Sequence, residues 1–438
     1  MRETISINNF ADLLAVSRAT VDAWIKKGKY HVHEDKGKRF FYVDELEEVK
    51  EVKSMLHTHW NEEKIVHPLQ RYTSVELFAG AGGLALGMEK AGFHHLLLNE
   101  IDHNACETLR KNRPKWNVVE GDIHEVDFSP LKGKVDFLSG GFPCQAFSYA
   151  GKRLGFEETR GTLFFELARA VKEIQPAVFL CENVKGLLEH DNGRTMETIK
   201  GVISEIGYTL VEPRVLRAIQ YDVPQKRERL ILIAIRNNIA PKVHFEWPDV
   251  CDGVRTLRDA FYKGALFDKD VPQSQGQQYP ESKRQVMELV PEGGDWRDLP
   301  EDVAREYMKG SYHLGGGKTG MARRLAMDEP SLTLTCAPAQ KQTERCHPIE
   351  TRPLTVREYA RIQTFTDDWH FAGSVSAQYK QIGNAVPVNL AWAVGRSFIR
   401  IFYDFSALGL RDVLDEESKI APCLKLHDLF DGMVCERE

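Results

Sequence analysis

One cysteine lies where a reactive group of an α/β protein is expected. Cys144 is part of the segment GGFPCQ at residues 140–145, which follows a short apolar run that predicts a buried strand. A free thiol has a pKa near 8.5, and a neighbouring arginine or helix N-terminus would raise its thiolate fraction at neutral pH. Most single cysteines are small core residues, so residue type alone leaves that alternative open. The loop position after a strand favours a nucleophile.

A glycine-rich turn and two acidic residues form a second group with chemical potential. Residues 76–83 read ELFAGAGG, and they join a predicted strand to a predicted helix, so backbone N–H groups there can approach a ligand closely. Glu100 ends the next strand, where a carboxylate can bind ribose hydroxyls, and Asp122 follows the third, where it can accept from an adenine amino group. This pattern predicts an adenosine-containing cofactor. The alternative is a tight structural turn with two capping acids, because the GxGxxG spacing and the P-loop lysine are missing.

The elements that must position these groups alternate between strands and helices over about 170 residues from Tyr72. This rhythm predicts a Rossmann-like, doubly wound α/β sheet. The predicted strands are 74–78, 96–99, 118–120, 135–139, 177–180 and 230–235, and the predicted helices are 84–91, 104–112, 163–174 and 196–206.

The alternation stops at about Phe245, where Gly, Pro and Gln residues cluster and periodicity becomes weak. Helical patterns return at 355–365 and 386–402, and an acidic tail follows from Asp404. The sequence therefore predicts a catalytic domain over 72–244, a smaller loop-rich domain over 245–346, a return to the catalytic domain over 347–403 and a tail over 404–438.

The first 60 residues have the pattern of a separate small module. Two short helices are predicted at 8–14 and 19–25, with Ser17 as the N-cap of the second, and a hairpin is predicted over 32–43. A charged helix is expected from Asp44 to about Met55. These elements resemble a winged helix-turn-helix, and six basic against two acidic residues between Lys26 and Arg39 suit phosphate contacts. A protein-docking module is the alternative. Residues 61–71 are predicted to be a linker.

Composition places the chain among ordinary globular proteins. It has 438 residues, of which 42% are apolar and 28% charged, which excludes disordered and collagen-like classes. The net charge is −6, and most of it falls in the acidic tail, so nucleic-acid contacts would have to come from local basic patches. Eight cysteines without a CxxC pair favour a reducing compartment. With no apolar signal core and no membrane-spanning run, a cytoplasmic location is expected.

Several segments around Cys144 occur in a fixed order along the chain. They are FAGAGG at 78–83, GFPCQ at 141–145, ENV at 182–184, QKRER at 225–229 and QIGNAV at 381–386, with RGTLFF at 160–165 and RPLTVRE at 352–358. This series, which covers roughly residues 72–402, resembles the motifs of DNA (cytosine-5) methyltransferases. It is most similar to the prokaryotic restriction-modification type, here with an N-terminal helix-turn-helix extension.

The resemblance implies roles for four catalytic residues. Cys144 would attack position 6 of a flipped cytosine, which makes position 5 able to accept a methyl group. Glu182 would hydrogen-bond the ring nitrogen and the amino group. Arg227 and Arg229 would orient the cysteine, the glutamate and the base or its phosphate.

The resemblance also implies S-adenosylmethionine as the cofactor and no metal. Phe78 would stack near the adenine, Glu100 would hold the ribose, and Asp122 would contact the adenine edge. Ile101 stands where the family often has an aromatic residue, which would weaken stacking on the cofactor. The full set of implied cofactor contacts is Phe78, Gly80, Ala81, Gly83, Glu100, Ile101, Asp122, Ile123, Pro143, Leu163, Asn384 and Val386.

Double-stranded DNA is the implied partner, with the enzyme monomeric during catalysis and no membrane contact. The loop after Cys144 would close on DNA, and the region 245–346 would recognise the target sequence, with six basic and three acidic residues between Lys309 and Arg345. The predicted DNA contacts are Gln145, Ser148, Lys152, Arg153, Arg323, Arg324, Lys341 and Arg345.

Two alternatives remain on the sequence alone. One is a cytosine-5 RNA methyltransferase of the same fold, against which the GFPCQ loop and the recognition region of about 100 residues argue. The other is a transcription regulator with a vestigial catalytic domain, which the intact Cys144, Glu182, Arg227 and Arg229 set opposes. An active enzyme could also bind its own promoter through the N-terminal module. In either case a location with the nucleoid of a prokaryotic cytoplasm is expected.

Overall fold

The computed structural model describes residues 2–65, 67–68, 70–142, 163–313 and 319–407, with side chains through residue 404. Six predicted site residues and most of the acidic tail lie outside the described residues. No helix within the described ranges is long and apolar enough to cross a bilayer. The six are Pro143, Cys144, Gln145, Ser148, Lys152 and Arg153.

The chain forms two compact units. The first, here called the sheet unit, comprises residues 67–216, 228–248 and 391–438. The second, here called the composite unit, comprises residues 1–66, 217–227 and 249–390. The composite unit thus joins the predicted N-terminal module and the predicted recognition domain with two pieces of the predicted catalytic domain, residues 217–227 and 347–390.

The described strands are β1 (Thr4–Ser6), β2 (His33–Asp35), β3 (Lys38–Tyr42), β4 (Tyr72–Leu77), β5 (Phe93–Glu100), β6 (Val118–Glu120), β7 (Phe137–Gly140), β8 (Val178–Asn183), β9 (Tyr208–Leu210), β10 (Arg214–Arg217), β11 (Gln225–Lys226), β12 (Glu228–Arg236) and β13 (Ser331–Leu332). The described helices are α1 (Ile7–Leu13), α2 (Arg18–Lys26), α3 (Lys50–Leu56), α4 (Trp60–Glu63), α5 (Gly83–Ala91), α6 (His103–Asn112), α7 (Leu163–Ile174), α8 (Arg194–Glu205), α9 (Leu257–Phe261), α10 (Glu281–Glu288), α11 (Glu301–Met308), α12 (Val356–Ile362), α13 (Val375–Asn384) and α14 (Val388–Ala407).

An eight-stranded sheet forms the frame of the sheet unit. Its order is β10-β12-β8-β7-β4-β5-β6, with β9 paired to β12. The pairs from β6 to β8 are parallel, whereas β12 runs antiparallel to β8 and β9. Because β5 lies on one side of β4 and β7 on the other, the strand order reverses at β4. Ligands of such sheets bind at the carboxyl ends of the strands around this reversal. The predicted doubly wound α/β sheet is confirmed.

Apolar strands explain why this sheet is buried. Val75, Leu138, Phe179 and Leu232 belong to one core cluster that also includes most of the apolar face of α7. Parallel strands covered on both faces are expected to be apolar runs of this kind. At the end of β7 a side chain on Gly140 would have its Cβ only 2.6 Å from Leu167 of α7, so close helix packing requires glycine there.

The first 56 residues contain the predicted helices and hairpin. Ser6 caps α1, Ser17 caps α2, and β2 pairs with β3 through a turn in which Lys36 and Gly37 both have positive φ. The predicted continuous helix from Asp44 is wrong, since a 3-10 turn at Val43–Leu46 is followed by α3. The winged helix-turn-helix assignment itself stays a prediction.

The predicted linker is anchored at its start by a buried carboxylate in the composite unit. Trp60 of α4 is 1% exposed, and its Nε1 donates to Asp222 Oδ2 at 2.8 Å. Lys64 Nζ lies 2.7 Å from the same oxygen, and Arg255 Nε lies 2.7 Å from Oδ1. Burial tends to raise the pKa of Asp222, but the cations Arg255 and Lys64 hold that pKa below its usual range. Lys64, within the predicted linker, is therefore tied to the composite unit, and the linker bounds themselves stay a prediction.

We expect Asp222→Ala to lower the free energy of unfolding by about 3 kcal/mol, because the substitution leaves the largely buried Arg255 and the buried Trp60 N–H without their carboxylate. Urea denaturation of the purified protein measures the change. Asp252→Ala is the matched control, since Asp252 also pairs with Arg255 but its side chain is 41% exposed. Equal losses in the two variants would contradict the assignment of Asp222 as the anchor.

The predicted loop-rich region contains three short helices as well as loops. α9, α10, α11 and the two-residue strand β13 all fall within residues 245–346. A cluster of buried side chains that includes Tyr279, Met287, Leu299 and Cys346 gives this region a small core of its own. The helices were missed because their sequences are rich in charge and lack a continuous apolar stripe.

Candidate active site

A buried ion pair lies at the carboxyl end of β8 in the sheet unit. Glu182 is the fifth residue of β8, and the antiparallel register pairs it with Ile231 of β12. Arg229, two residues earlier on β12, places its Nε 2.6 Å from Glu182 Oε1, and both side chains are 13% exposed. Of the four predicted catalytic residues, the structure therefore brings Glu182 and Arg229 into direct contact.

The same strand end contacts the last described residues before Cys144. A Cβ on Gly141 would lie 3.0 Å from Glu182 Oε2, so the carboxylate rests against the backbone at that position. Asn183 donates from Nδ2 to the carbonyl oxygen of Phe142 at 2.9 Å. The ENV motif quoted from the sequence contained Asn183, but no role was assigned to it. The structure shows that it holds the start of the segment that leads to Cys144.

The glycine-rich turn after β4 is organised by the carboxylate of Glu100. Phe78 and Gly80 have positive φ angles of 58° and 54°, and the turn directs the N–H of Gly80 to Glu100 Oε2 at 2.7 Å. Glu100 Oε1 accepts from the backbone N–H groups of Ile101 and Asp102 at 2.9 and 2.8 Å. Three N–H donors thus fix this carboxylate at the end of β5, next to the reversal of strand order.

The remaining predicted cofactor contacts in the sheet unit suit an adenosine. Asp122 is half exposed, and the backbone N–H and ring of His124 hold its pKa below the usual range. Ile101 is 68% exposed beside the buried Glu100, while Ile123 is buried. Asp122 is an ionised hydrogen-bond acceptor, Ile101 is an uncovered apolar side chain, and Glu100 is a fixed carboxylate. These groups lie at adjoining strand ends and fit the polar and apolar edges of a nucleoside. Ala81 and Gly83 are buried in the turn, and Leu163 begins α7.

Glu76 is a second buried carboxyl group on β4, and sequence reasoning did not select it. Its side chain is 1% exposed, and its Oε2 has no hydrogen-bond partner among the described residues. Burial raises its pKa well above the usual range, while the N–H of Ala85 and the hydroxyl of Ser139 act in the opposite direction.

We expect Glu76→Gln to raise the melting temperature, by an amount that increases from pH 5 to pH 8. The folded-state pKa exceeds the unfolded one, so the folded protein holds more protons and loses stability as pH rises through that interval. Glutamine does not titrate and escapes this loss. Melting curves at several pH values measure it, with the exposed Glu205→Gln as control. A difference that does not change with pH would contradict the prediction.

The predicted residues Arg227, Asn384 and Val386 lie in the composite unit. Arg227 is 1% exposed, and its guanidinium donates to the carbonyl oxygens of Leu334 and Gly383 at 3.3 and 3.0 Å. A Cβ on Gly383 would lie 2.2 Å from Thr335 O, so the QIGNAV segment needs glycine at this crossing. Asn384 ends α13, and its Oδ1 accepts from the thiol of Cys336.

Four of the predicted DNA contacts are engaged within the composite unit. Arg324 and Arg345 are 4% and 5% exposed, and their guanidinium groups donate mainly to backbone carbonyl oxygens. Burial lowers the pKa of Arg345 to about 10. Direct DNA contact by these two residues is therefore not supported, because their donors already hold the fold together. Arg323 pairs with Asp295 at 3.5 Å, and Lys341 donates to the carbonyl of Tyr307 at 2.5 Å.

Residues 72–400 match the family model of the C-5 cytosine-specific DNA methylases. The chain belongs to this family. The methylase is 61% identical over 404 residues to the Type II methyltransferase M.Eco47II of Escherichia coli, covering 92% of this chain and 96% of that protein. It is 59% identical over 397 residues to M.PspPI of a Psychrobacter species, covering 89% and 94%. Identity to M.Sau96I of Staphylococcus aureus is 50%, covering 76% of this chain and 77% of the relative.

A solved structure agrees with the fold of this methylase. A prophage-encoded Escherichia coli protein described as a DNA modification methyltransferase gives a TM-score of 0.55 at 23% identity, covering 76% of this chain and 99% of that one. The enzyme is an S-adenosylmethionine-dependent DNA (cytosine-5) methyltransferase. The glycine-rich turn, Glu100 and Asp122 are the described residues whose chemistry fits that cofactor.

Proposed function

We propose that the enzyme methylates one cytosine in a specific duplex DNA sequence through a covalent bond to Cys144, as the modification component of a restriction-modification system. The observation that carries the proposal is the Glu182–Arg229 pair, which rests against the backbone that leads to Cys144. Type II methyltransferases as relatives over nearly the whole chain support the restriction-modification part. With this role we propose a location in a prokaryotic cytoplasm, in contact with the nucleoid.

The proposed chemistry begins with a flipped cytosine. The Cys144 thiolate forms a bond to ring position 6, and the electron pair of the 5,6 double bond moves into the ring. Glu182 hydrogen-bonds the ring nitrogen and the amino group, which offsets the charge that the attack creates. Arg229 holds the Glu182 carboxylate in one orientation through its guanidinium.

The cofactor would supply an electrophilic methyl group on a sulfonium, and breaking the sulfur–methyl bond would leave the neutral thioether S-adenosylhomocysteine as product. The described residues of the sheet unit proposed to hold the cofactor are Phe78, Glu100 and Asp122. After position 5 has accepted the methyl group, a base removes the proton from that carbon. The returning electron pair restores the double bond and expels the Cys144 thiolate.

The test is transfer of labelled methyl from S-adenosylmethionine to mixed-sequence duplex DNA, followed by bisulfite sequencing. We expect methylcytosine in one short recurring context, and no label with the Cys144→Ala variant. Label on RNA in place of DNA would favour the RNA-enzyme alternative, and no label on either would favour a regulator with a vestigial catalytic domain. Gel filtration during turnover tests the proposed monomeric state.

We further propose that the N-terminal module contacts DNA. Lys27, directly after α2, and Lys36 and Lys38, in the β2–β3 hairpin, are exposed where phosphate groups could reach them. If the module binds the enzyme's own promoter, the full-length protein should prefer that promoter to random DNA at fixed salt, and Lys27→Glu with Lys36→Glu should abolish the preference. Equal affinity of the unmodified protein for both DNAs would contradict promoter binding.

A further inference from the structure

The N-terminal module is fixed inside the composite unit by polar contacts at the end of α1. Arg217 donates from both terminal nitrogens to the carbonyl oxygens of Asp12 and Leu13, the last two residues of that helix. The C-terminal end of a helix carries partial negative charge and unpaired carbonyl groups, so a guanidinium is a suitable partner. Asn8 on the same helix donates to the carboxylate of Glu329.

A second contact links α1 to the strand that precedes a predicted catalytic arginine. Lys226 Nζ lies 2.6 Å from Asp12 Oδ2 and 3.8 Å from Glu329 Oε2, and the Lys226 and Asp12 side chains are 25% and 16% exposed. Burial raises the pKa of Asp12, and the charge of Lys226 opposes this rise. The Lys226 ammonium group therefore lies between two carboxylates. One is Asp12 of the N-terminal module, and the other is Glu329 in the turn at residues 328–329.

The neighbours of Lys226 on both sides are fixed to other parts of the composite unit. Gln225 is fully buried and donates to Gln363 Oε1 at 2.9 Å, and Arg227 donates to Leu334 and Gly383. Side chains alternate along an extended segment, so Lys226 points away from these contacts. Asp12 of the N-terminal module therefore binds the face of the segment opposite to Gln225 and Arg227, through its ion pair with Lys226.

We propose that the N-terminal module is a positioning element for methyl transfer, and that Asp12 fixes Arg227 through its ion pair with Lys226. The inference rests on the proposed role of Arg227 in the reaction. It differs from a tethered regulator, because a module that only binds promoter DNA has no need of a partly buried ion pair to a residue of the QKRER segment. Asp12 and Lys226 act through Arg227 and are not themselves catalytic.

The test uses the full-length enzyme and compares kcat with KM for DNA and for S-adenosylmethionine. In Asp12→Ala we expect kcat to fall about 10- to 100-fold, the scale of a small misplacement of reacting groups, with both KM values unchanged. Asp12→Glu should restore most of the rate. Asp22→Ala is the matched control, because Asp22 lies in the same module and pairs only with Arg18 and Arg39 among the ion pairs described.

A double-mutant cycle separates positioning from general destabilisation. If the pair acts as a unit, Lys226→Met should reduce kcat as Asp12→Ala does, and the double variant should be no slower than either. If Asp12→Ala does not fold, Asp12→Asn keeps the volume and removes the charge. The inference is overturned if Asp12→Ala has the same kcat as Asp22→Ala, or if Asp12→Ala changes only KM for DNA. In both cases the enzyme remains active. Loss of methyl transfer in the unsubstituted enzyme would overturn the proposed function instead.

Discussion

Glu182→Gln should lower kcat by about 10²- to 10⁴-fold, the range that general acid–base groups contribute, with little change in KM for DNA. The amide keeps the size of the carboxyl group, and it can still donate to the ring nitrogen and accept from the amino group of cytosine. It cannot transfer a proton, which is what attack at position 6 demands when negative charge develops on the ring. Single-turnover rates with both substrates saturating measure the chemical step directly.

The control for Glu182→Gln is on the adjacent strand. Glu228 begins β12, one residue before Arg229, and its ion pair with Lys185 is partly exposed at 3.3 Å. Glu228→Gln should leave the rate nearly unchanged, since a partly exposed pair contributes little. If the two variants lose the same amount of activity, Glu182 serves only to hold Arg229. Binding of S-adenosylmethionine to both variants shows that the sheet remains intact.

The sheet could be predicted because its signals are local. Short apolar runs gave six strands, and the register of β4 with β5 and β7 places the glycine turn, Glu100 and the start of the Cys144 segment at one edge. Carboxyl ends of parallel strands always share an edge, so strand order alone brings such residues together. The Glu182–Arg229 contact was expected only through the resemblance, since it depends on an antiparallel neighbour 47 residues further along the chain.

Long-range polar contacts could not be predicted from the sequence. Trp60 ends the predicted N-terminal module and Lys64 lies in the predicted linker, yet both bind Asp222, about 160 positions away. Arg324 and Arg345 lie in a basic stretch that suits DNA, yet their guanidinium groups satisfy backbone carbonyl groups in a region with few regular elements. A loop-rich fold leaves many carbonyl groups without hydrogen-bond partners in a helix or sheet. Arginine has five N–H donors and can bind several of these carbonyl groups at once. Charge in a sequence therefore does not by itself distinguish a ligand contact from an internal support.

Glu100→Ala should raise the dissociation constant for S-adenosylmethionine about 100-fold, because charge-assisted hydrogen bonds each contribute about 1.5–3 kcal/mol. The loss has two sources: the ribose hydroxyls lose an acceptor, and the N–H groups of Gly80, Ile101 and Asp102 lose the carboxylate that fixes the turn. Calorimetric titration with the cofactor measures it.

Glu120→Ala is the matched control, since Glu120 ends the neighbouring strand but pairs with His103 and Arg110 on the surface. Glu100→Gln separates the two sources, because an amide oxygen can replace one acceptor only. An intermediate affinity for that variant supports both roles, whereas an affinity equal to the unsubstituted enzyme would show that the turn does not need the charge.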